Sequence, residues 1–227
     1  MRSFALYFIL LFGLCLHVDA REFTFRMLGL NVSAQDLRYA VGKQDVPVVL
    51  NEHGFSPAYA CSSGGGLDFS RLVIVDEKET REVVFTMPAP PGPSARWLLL
   101  VAAEKSAGTL RYSGRWIDDS SEAHPVNTVR LYNFTGRMLM YQSGSESNQV
   151  SFGEPQLIPF ATGVRQIPFR LAALRDGHWK LAAATRLPVR KNYRVHVIVR
   201  DGTAEDQLVN SYVDLLLVHD YVPPPIP

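Results

Sequence analysis

Short runs in which apolar and polar residues alternate recur along this chain, and turn-forming residues separate them. Phe23, Phe25 and Met27, for example, alternate with Thr24 and Arg26. From residue 21 onward such runs return at intervals of about 8–15 residues, which is typical of a β-sandwich or a β-barrel. The periodicity of an amphipathic helix is nearly absent over the same residues. The pattern therefore predicts an all-β protein.

A polar, acidic stretch over residues 118–125 divides these runs into two groups. Each group covers about 100 residues, an ordinary size for one sandwich domain. Phe25-Arg26-Met27-Leu28 in the first group also resembles Val129-Arg130-Leu131-Tyr132 in the second. We therefore expect two tandem immunoglobulin-like antiparallel β-sandwich domains, over residues 21–117 and 126–220. The stretch 118–125 would be an acidic hinge, and residues 221–227 a proline-rich tail.

Two dipeptides mark tight β-hairpins. Asp176-Gly177 and Asp201-Gly202 each stand between strand-like runs. Asp-Gly supplies the positive φ angles that two-residue hairpin turns require. We therefore expect the chain to reverse direction at each of them.

Residues 1–20 have the features of a secretory signal peptide. Arg2 supplies a positive charge, Phe4 to Leu16 is an apolar run of thirteen residues, and Ala20 ends a small-residue cleavage site. A membrane anchor is the alternative, but a span needs about 20 apolar residues. We therefore expect cleavage after residue 20. No transmembrane segment is expected in the mature chain, whose longest apolar candidate is Trp97 to Ala103.

Cleavage after residue 20 leaves one cysteine, Cys61. One cysteine cannot form an internal disulfide, so the stability of the secreted chain must come from packing. A catalytic thiol needs a histidine partner, and nothing in the sequence fixes His53, eight residues upstream, beside Cys61. We therefore expect Cys61 to be a small, half-buried residue without a catalytic role.

The sequence contains no recognisable catalytic or metal-binding motif. It has no Gly-x-Ser-x-Gly elbow, the segment Ser62 to Gly66 lacks the lysine of a phosphate loop, and its carboxylates show no arrangement specific to a glycosidase. No two histidines after the leader have metal-ligand spacing, and Cys-x-x-Cys is absent. His196 and His219 could meet across paired strands, the alternative being a surface position at a hairpin rim. We predict no enzymatic activity, no cofactor and no metal site.

Charge is distributed unevenly, although the formal net charge of the 227 residues is only +1, which argues against a nucleic-acid-binding protein. Nine lysines and arginines but one acid lie between Arg165 and Arg200. Antiparallel strands could align part of this set into a basic face. The candidate residues are Arg186, Arg190, Lys191, Arg194, His196 and Arg200. Such a face would attract an anionic glycan, a lipid headgroup or an acidic protein, more weakly as salt rises. The alternative is a solvated face whose cations pair with acids such as Asp214 and Asp220.

The three tryptophans, Trp97, Trp116 and Trp179, all lie in strand-like runs. Large aromatic side chains in such runs normally fill a sandwich core, whereas sugar-binding modules expose them. Trp179 is the best candidate for an exposed aromatic residue, because it follows the predicted turn at Asp176-Gly177.

Four segments carry a resemblance to a known group of proteins. They are Arg115-Trp116-Ile117 before the hinge, Val129 to Gly136 after it, Trp179-Lys180-Leu181, and Tyr193 to Val199. Together they resemble secreted tandem β-sandwich proteins that are uncharacterised products of Gram-negative bacteria. The resemblance implies the sandwich fold and export to the periplasm or cell envelope, with no activity and no catalytic residue.

These observations predict an exported, non-enzymatic binding or assembly protein of the cell envelope. Its partner would be an unidentified envelope protein or an anionic glycan, and the sequence does not indicate an oligomeric state. One alternative is a periplasmic chaperone or secretion accessory, because pilus chaperones also have two such domains and cap partners through a strand edge. Another is a carbohydrate-binding module or a glycan-modifying accessory, which requires exposed tryptophans or paired carboxylates in a cleft.

Overall fold

The computed structural model describes residues 21–41, 44–63, 65–106, 109–202 and 213–223. Within these ranges the chain forms strands, turns and loops but no helix, and so none that could cross a membrane. The predicted signal peptide, residues 1–20, lies outside the described residues, as does most of the predicted proline-rich tail.

Sixteen strands occur in the described ranges, eight before and eight after the segment 119–127. The first eight are β1 (Arg21–Gly29), β2 (Ala34–Val41), β3 (Gln44–Leu50), β4 (Tyr59–Ser63), β5 (Leu67–Val75), β6 (Lys78–Met87), β7 (Arg96–Ser106) and β8 (Thr109–Asp118). The second eight are β9 (Thr128–Phe134), β10 (Leu139–Ser143), β11 (Glu146–Val150), β12 (Gln156–Pro159), β13 (Gln166–Arg175), β14 (His178–Pro188), β15 (Tyr193–Asp201) and β16 (Val213–Tyr221).

The strands form four sheets of four, and the same topology occurs twice. In the first domain the sheet β4-β1-β7-β8 packs on the sheet β3-β2-β5-β6. In the second domain β12-β9-β15-β16 packs on β11-β10-β13-β14. The predicted all-β class and the arrangement as two sandwiches are confirmed, and the internal sequence similarity has a counterpart in a repeated strand order.

One pair of strands in each domain is parallel, β1 with β7 and β9 with β15. A parallel pair needs a connection that returns to the same end of the sheet. Between the two parallel strands the chain forms the four strands of the opposite sheet and one edge strand of the same sheet, β4 or β12. The constant-type immunoglobulin domain has seven strands in sheets of four and three, whereas each domain of this chain has eight strands in two sheets of four.

Each domain has its own core, formed by the inward-facing residues that the alternation predicted. Phe23, Phe25 and Met27 of β1 are buried in the first core, together with Trp97 of β7. In the second core the valines of β15 pack against residues of β13 such as Phe169. The alternation in the sequence therefore reports correctly which face of each strand points into its own sandwich.

A third apolar cluster joins the two domains, and it consists of Leu28, Leu98, Leu100, Ile117, Tyr132 and Ile198. These residues lie on the outer faces of β4-β1-β7-β8 and β12-β9-β15-β16, so these two sheets face each other. The central strands β7 and β15 are consequently buried on both faces. A strand buried on both faces reads as a nearly continuous apolar run, and this explains the uninterrupted sequence Trp97 to Val101.

The two predicted Asp-Gly turns have different outcomes. Asp176 and Gly177 both have positive φ, 53° and 76°, and they close the β13–β14 hairpin as predicted. Asp201 instead pairs with Val213, so residues 202–212 connect β15 to β16 and no two-residue turn forms at Asp201-Gly202. The Asp201 carboxylate accepts a hydrogen bond from the Gly136 amide (3.3 Å).

The corresponding hairpin of the first domain, β5–β6, makes the same turn without glycine, since Asp76 and Glu77 have φ of 51° and 63°. We expect Glu77→Gly to raise the free energy of unfolding by about 0.5–1 kcal/mol, because glycine adopts positive φ without steric cost. Gly177→Ala is the matched control and should lower the free energy of unfolding by a similar amount. An added methyl group at Gly177 would contact no other atom of the described residues, so the positive φ is the only source of strain. Urea denaturation measures both changes, and destabilisation by Glu77→Gly would contradict this account of the turn.

Candidate functional site

Four ionised side chains from both domains form an interdomain ion cluster beside the apolar contact. Arg26 on β1 donates hydrogen bonds to Asp119 (2.6 Å) and to Asp220 on β16 (2.8 and 3.0 Å). Arg194 stands opposite Asp220 in the β15–β16 ladder and is hydrogen-bonded to it. Arg194 also lies 3.6 Å from the Asp119 carboxylate. Each arginine therefore contacts both aspartates, Asp119 of the hinge and Asp220 of the second domain.

The ion cluster is largely removed from solvent. The side chains of Arg194 and Asp119 are each only 1% exposed. Burial alone would raise the pKa of Asp220, but the hydrogen bonds and positive charges of Arg26 and Arg194 outweigh it and hold that pKa below its ordinary value. Charges buried this deeply are stable only when paired.

A third arginine fixes the predicted hinge, residues 118–125. Arg130 on β9 is the counterpart of Arg26 on β1, since the two hold the same place in the parallel pairs β9–β15 and β1–β7. One guanidinium nitrogen of Arg130 donates to the Asp118 carbonyl oxygen (2.7 Å), and another donates to that of Ala123. Arg194 donates to the backbone oxygens of Asp119 (3.0 Å) and His124 (3.4 Å). The hinge is therefore a packed segment.

Two buried histidines lie next to the ion cluster. The rings of His124, from the hinge, and His196, from β15, meet edge to face with centroids 4.5 Å apart, and both residues are 0% exposed. Burial lowers the pKa of His124 to about 2, and the charges of Arg130 and Arg194 contribute in the same direction. Burial also places the pKa of His196 well below its ordinary value. Both imidazoles are therefore neutral at physiological pH.

Several polar atoms of this region have no hydrogen-bond partner among the described residues. They are Oδ1 of Asp119, both ring nitrogens of His124, Nε2 of His196 and Nε of Arg130. His124 approaches the Thr128 backbone without forming a hydrogen bond of normal geometry. The other ring nitrogen of His196, Nδ1, lies 3.3 Å from the Tyr132 hydroxyl.

The structure divides the six residues predicted for a basic face. Arg194 and His196 are buried against the first domain, and Arg200 donates to the Leu30 carbonyl oxygen of that domain (2.8 Å) and pairs with Asp214. These three side chains do not form a solvent-facing surface, because the polar face of β15 is covered by the other sandwich. Arg200 and Arg194 pair with Asp214 and Asp220, two of the acids considered from sequence, but on a covered face and not on the solvated face that this alternative assumed.

The remaining three residues, Arg186, Arg190 and Lys191, are exposed. Arg190 and Lys191 line a groove of about 630 Å³ between segments 163–166 and 188–191, where Arg165 joins them. No carboxylate from the described part of the chain lines this basic groove. Among the described residues, none lies within ion-pair distance of its three cations.

Trp179 is exposed, at 42%, as is its neighbour Leu181, at 65%. A β-bulge interrupts the β13–β14 ladder, so that Ala172 pairs with Leu181 but Leu171 pairs with Ala183. Because ladder partners share a face, the bulge puts Trp179 and Leu181 on the same solvent-facing side as Arg186, which pairs with Pro168. We call this side of β11-β10-β13-β14 the outer face. The other two tryptophans donate their indole N–H groups to the carbonyl oxygens of Ser94 and Pro88.

The remaining residues that the sequence singled out are separated in space or occluded. His219 pairs opposite Val195 and contacts the Pro188 carbonyl oxygen (2.9 Å), so it does not meet His196. Cys61 is buried, and burial raises the pKa of its thiol to about 11. Such a thiol is a poor nucleophile.

Sequence reasoning did not find the grouping of Asp119 and His124 with His196. The first two lie in the hinge, whereas His196 is 72 residues beyond His124 in the chain. No spacing rule connects positions that only the packing of two domains brings together. The only sequence signal is that polar residues alternate with the core valines of β15.

Fold and site together define a two-domain β-sandwich protein with a closed polar cluster between its domains. No protein-family model matches the chain, and no curated protein does. Among solved structures, the crystal structure of a DUF3823 family protein from Bacteroides ovatus ATCC 8483 covers 75% of this chain and 100% of its own. The two sequences are 8% identical and the TM-score is 0.22. This is a weak structural resemblance to an uncharacterised bacterial protein, and it carries no argument about function.

The ion cluster yields a prediction for Asp220. We expect Asp220→Asn to lower the free energy of unfolding by about 3 kcal/mol, because it leaves two buried arginines to share the single charge of Asp119. Urea denaturation followed by tryptophan fluorescence measures the change. Asp214→Asn is the matched control: this side chain pairs with Arg200 but is 44% exposed, and its loss should cost less than about 1 kcal/mol. Equal losses in the two variants would contradict a stabilising role for the buried cluster.

Proposed function

We propose that this chain is an exported, non-enzymatic binding protein of the cell envelope, and that its second domain binds an anionic glycan. The observation that carries the proposal is the basic groove, where Arg165, Arg190 and Lys191 surround about 630 Å³ and none of the described lining residues is a carboxylate. Unpaired cations around a concave surface attract anionic groups. The signal peptide predicted from sequence is the basis for export.

The outer face favours a glycan over a small anion. Arg186 stands at the end of β14 next to the groove, and Trp179 lies seven residues away at the other end of this strand. At about 3.3 Å per residue these two positions are roughly 23 Å apart. The surface is therefore long enough for an oligosaccharide, with cations for its acidic groups at one end and an exposed indole for stacking on a sugar ring at the other.

The chemistry of these surfaces supports binding without catalysis. The groove is lined by arginine, lysine, glutamine and apolar residues, and among the described residues no histidine, aspartate or glutamate, the side chains that most often act as general acid or base, lines it. The histidines and aspartates of the interdomain cluster are occluded, since Asp119 and both histidines there are at most 1% exposed. Substrate would not reach them without separation of the domains.

The proposal predicts salt-dependent binding of acidic polysaccharides. We expect the protein to be retarded in gels that contain heparin or polygalacturonate but not in gels that contain neutral dextran, and the retardation should fall as salt rises. The double variant Arg190→Ala/Lys191→Ala should bind roughly tenfold more weakly, since two lost contacts of about 0.7 kcal/mol each amount to about 1.4 kcal/mol. Trp179→Ala should weaken binding and leave its salt dependence unchanged.

The control is Lys78→Ala/Lys105→Ala, which removes two exposed cations of the first domain and should leave binding intact. Equal weakening by both double variants would mean that net charge alone governs retention, and no retardation of the wild type would refute a glycan ligand. Capture of an envelope protein that is insensitive to salt would support strand-edge recognition of the chaperone kind instead.

A further inference from the structure

Three polar side chains in the interior converge without satisfying one another. Asp119 follows β8, His124 lies in the hinge and His196 lies on β15, and each is at most 1% exposed. One potential ligand atom from each lies within 4.8 Å of the other two. Oδ1 of Asp119, both nitrogens of His124 and Nε2 of His196 lack hydrogen-bond partners among the described residues. Because buried polar atoms are nearly always partnered, this convergence indicates that a ligand occupies the space between them.

We propose that Asp119, His124 and His196 bind one Zn²⁺ ion, or another divalent transition-metal ion that prefers imidazole, and that this ion links the two domains through the hinge. Two imidazole nitrogens and one carboxylate oxygen form a donor set that zinc uses in proteins, with a fourth position for water. Ca²⁺ and Mg²⁺ require mostly oxygen donors, so this site should not retain them. The inference is independent of glycan binding, since the two sites share no residue.

Neighbouring groups orient the three side chains for this role. The Tyr132 hydroxyl, 3.3 Å from Nδ1 of His196, fixes that ring and leaves Nε2 for a metal. Arg26 binds Oδ2 of Asp119 at 2.6 Å, which leaves Oδ1 without a hydrogen bond and with Arg194 Nη1 at 3.6 Å as its ion-pair partner. Such outer contacts are typical of metal sites, where they hold the ligands in the required orientation.

Protonation states and charges also fit a metal ion. A metal requires neutral imidazole, and burial keeps both histidines neutral by lowering the pKa of each. Three arginines border the site, but three aspartates balance them, so the formal charge of the surrounding ionised groups is zero before a cation enters. These six residues are Arg26, Arg130, Arg194, Asp118, Asp119 and Asp220.

Binding would contract the site. Bonds of about 2.0–2.1 Å in a tetrahedral site hold the ligand atoms about 3.4 Å apart. The three atoms now lie within 4.8 Å of one another, so each pair would move closer by at most about 1.4 Å. Because the site is closed to solvent, we expect the ion to enter during folding and to exchange slowly afterwards.

The direct test is zinc retention after refolding. The full chain is unfolded in guanidinium chloride, refolded with equimolar Zn²⁺, dialysed, and analysed for metal by mass spectrometry. We expect about one zinc per wild-type chain and no retention of Ca²⁺ or Mg²⁺ under the same protocol. His124→Gln, which leaves the ion cluster intact, should retain at least tenfold less zinc, and so should His196→Gln. His219→Gln is the matched control and should retain as much as the wild type.

Zinc X-ray absorption of the wild type needs no variant, so the test does not depend on how the variants fold. Two imidazole ligands with oxygen ligands at about 2.0–2.1 Å would support the site, and oxygen-only coordination would refute it. Absence of zinc from the refolded wild type would also refute it, and would mean that buried water satisfies these atoms. If His124→Gln retained as much zinc as the wild type, the ion would be bound elsewhere and the proposed site would be wrong.

Discussion

An arginine removed from water must keep an anionic partner, and this requirement determines how the two sandwiches assemble. Arg194 is 1% exposed, and the two carboxylates that surround it come from the hinge (Asp119) and from β16 of the second domain (Asp220). Arg26 of the first domain contacts the same two carboxylates. Apolar residues such as Leu98 and Ile198 also contribute to the interface, but hydrophobic contact is not directional. The ion cluster therefore fixes the relative orientation of the domains.

The repeated topology shows how a polar centre can arise in an apolar interface. Arg26 of the first domain corresponds to Arg130 of the second. Asp119 corresponds to Asp220, because Asp119 is hydrogen-bonded to the backbone of Arg96 and Asp220 pairs with Arg194 at the equivalent place. One of the corresponding inner positions differs in polarity, since the first domain has Leu98 where the second has His196. The histidine meets His124 of the hinge, a segment that occurs only once. The candidate metal site thus depends on two features that the first domain does not share, the histidine at position 196 and the hinge.

Much of the fold could be predicted from the sequence, because alternation along a strand reports which residues face the core of its own sandwich. It identified the inward positions of β1 and β15 and the turn at Asp176-Gly177. The alternation did not show that the first domain covers the other face of β15, so it predicted that Arg194 and His196 face solvent. The uninterrupted apolar run from Trp97 to Val101 carried the missing information, since it is typical of a strand buried on both sides.

The candidate surfaces were less accessible to sequence reasoning. Arg190 and Lys191 were identified from local charge, and Trp179 from its position after a turn. Their relation to Arg186 could not be predicted, because a single bulge in β14 decides which side chains share a face. The grouping of His124 with His196 depends on domain packing and leaves no mark in local sequence patterns.

Calorimetry of the whole chain tests most directly whether the interdomain cluster joins the sandwiches into one unit. The account predicts a single unfolding transition, with calorimetric and van't Hoff enthalpies that agree. Two separate transitions, or a calorimetric enthalpy about twice the van't Hoff value, would mean that the domains unfold independently. That result would contradict a central role for Arg26, Asp119, Arg194 and Asp220 in joining the domains.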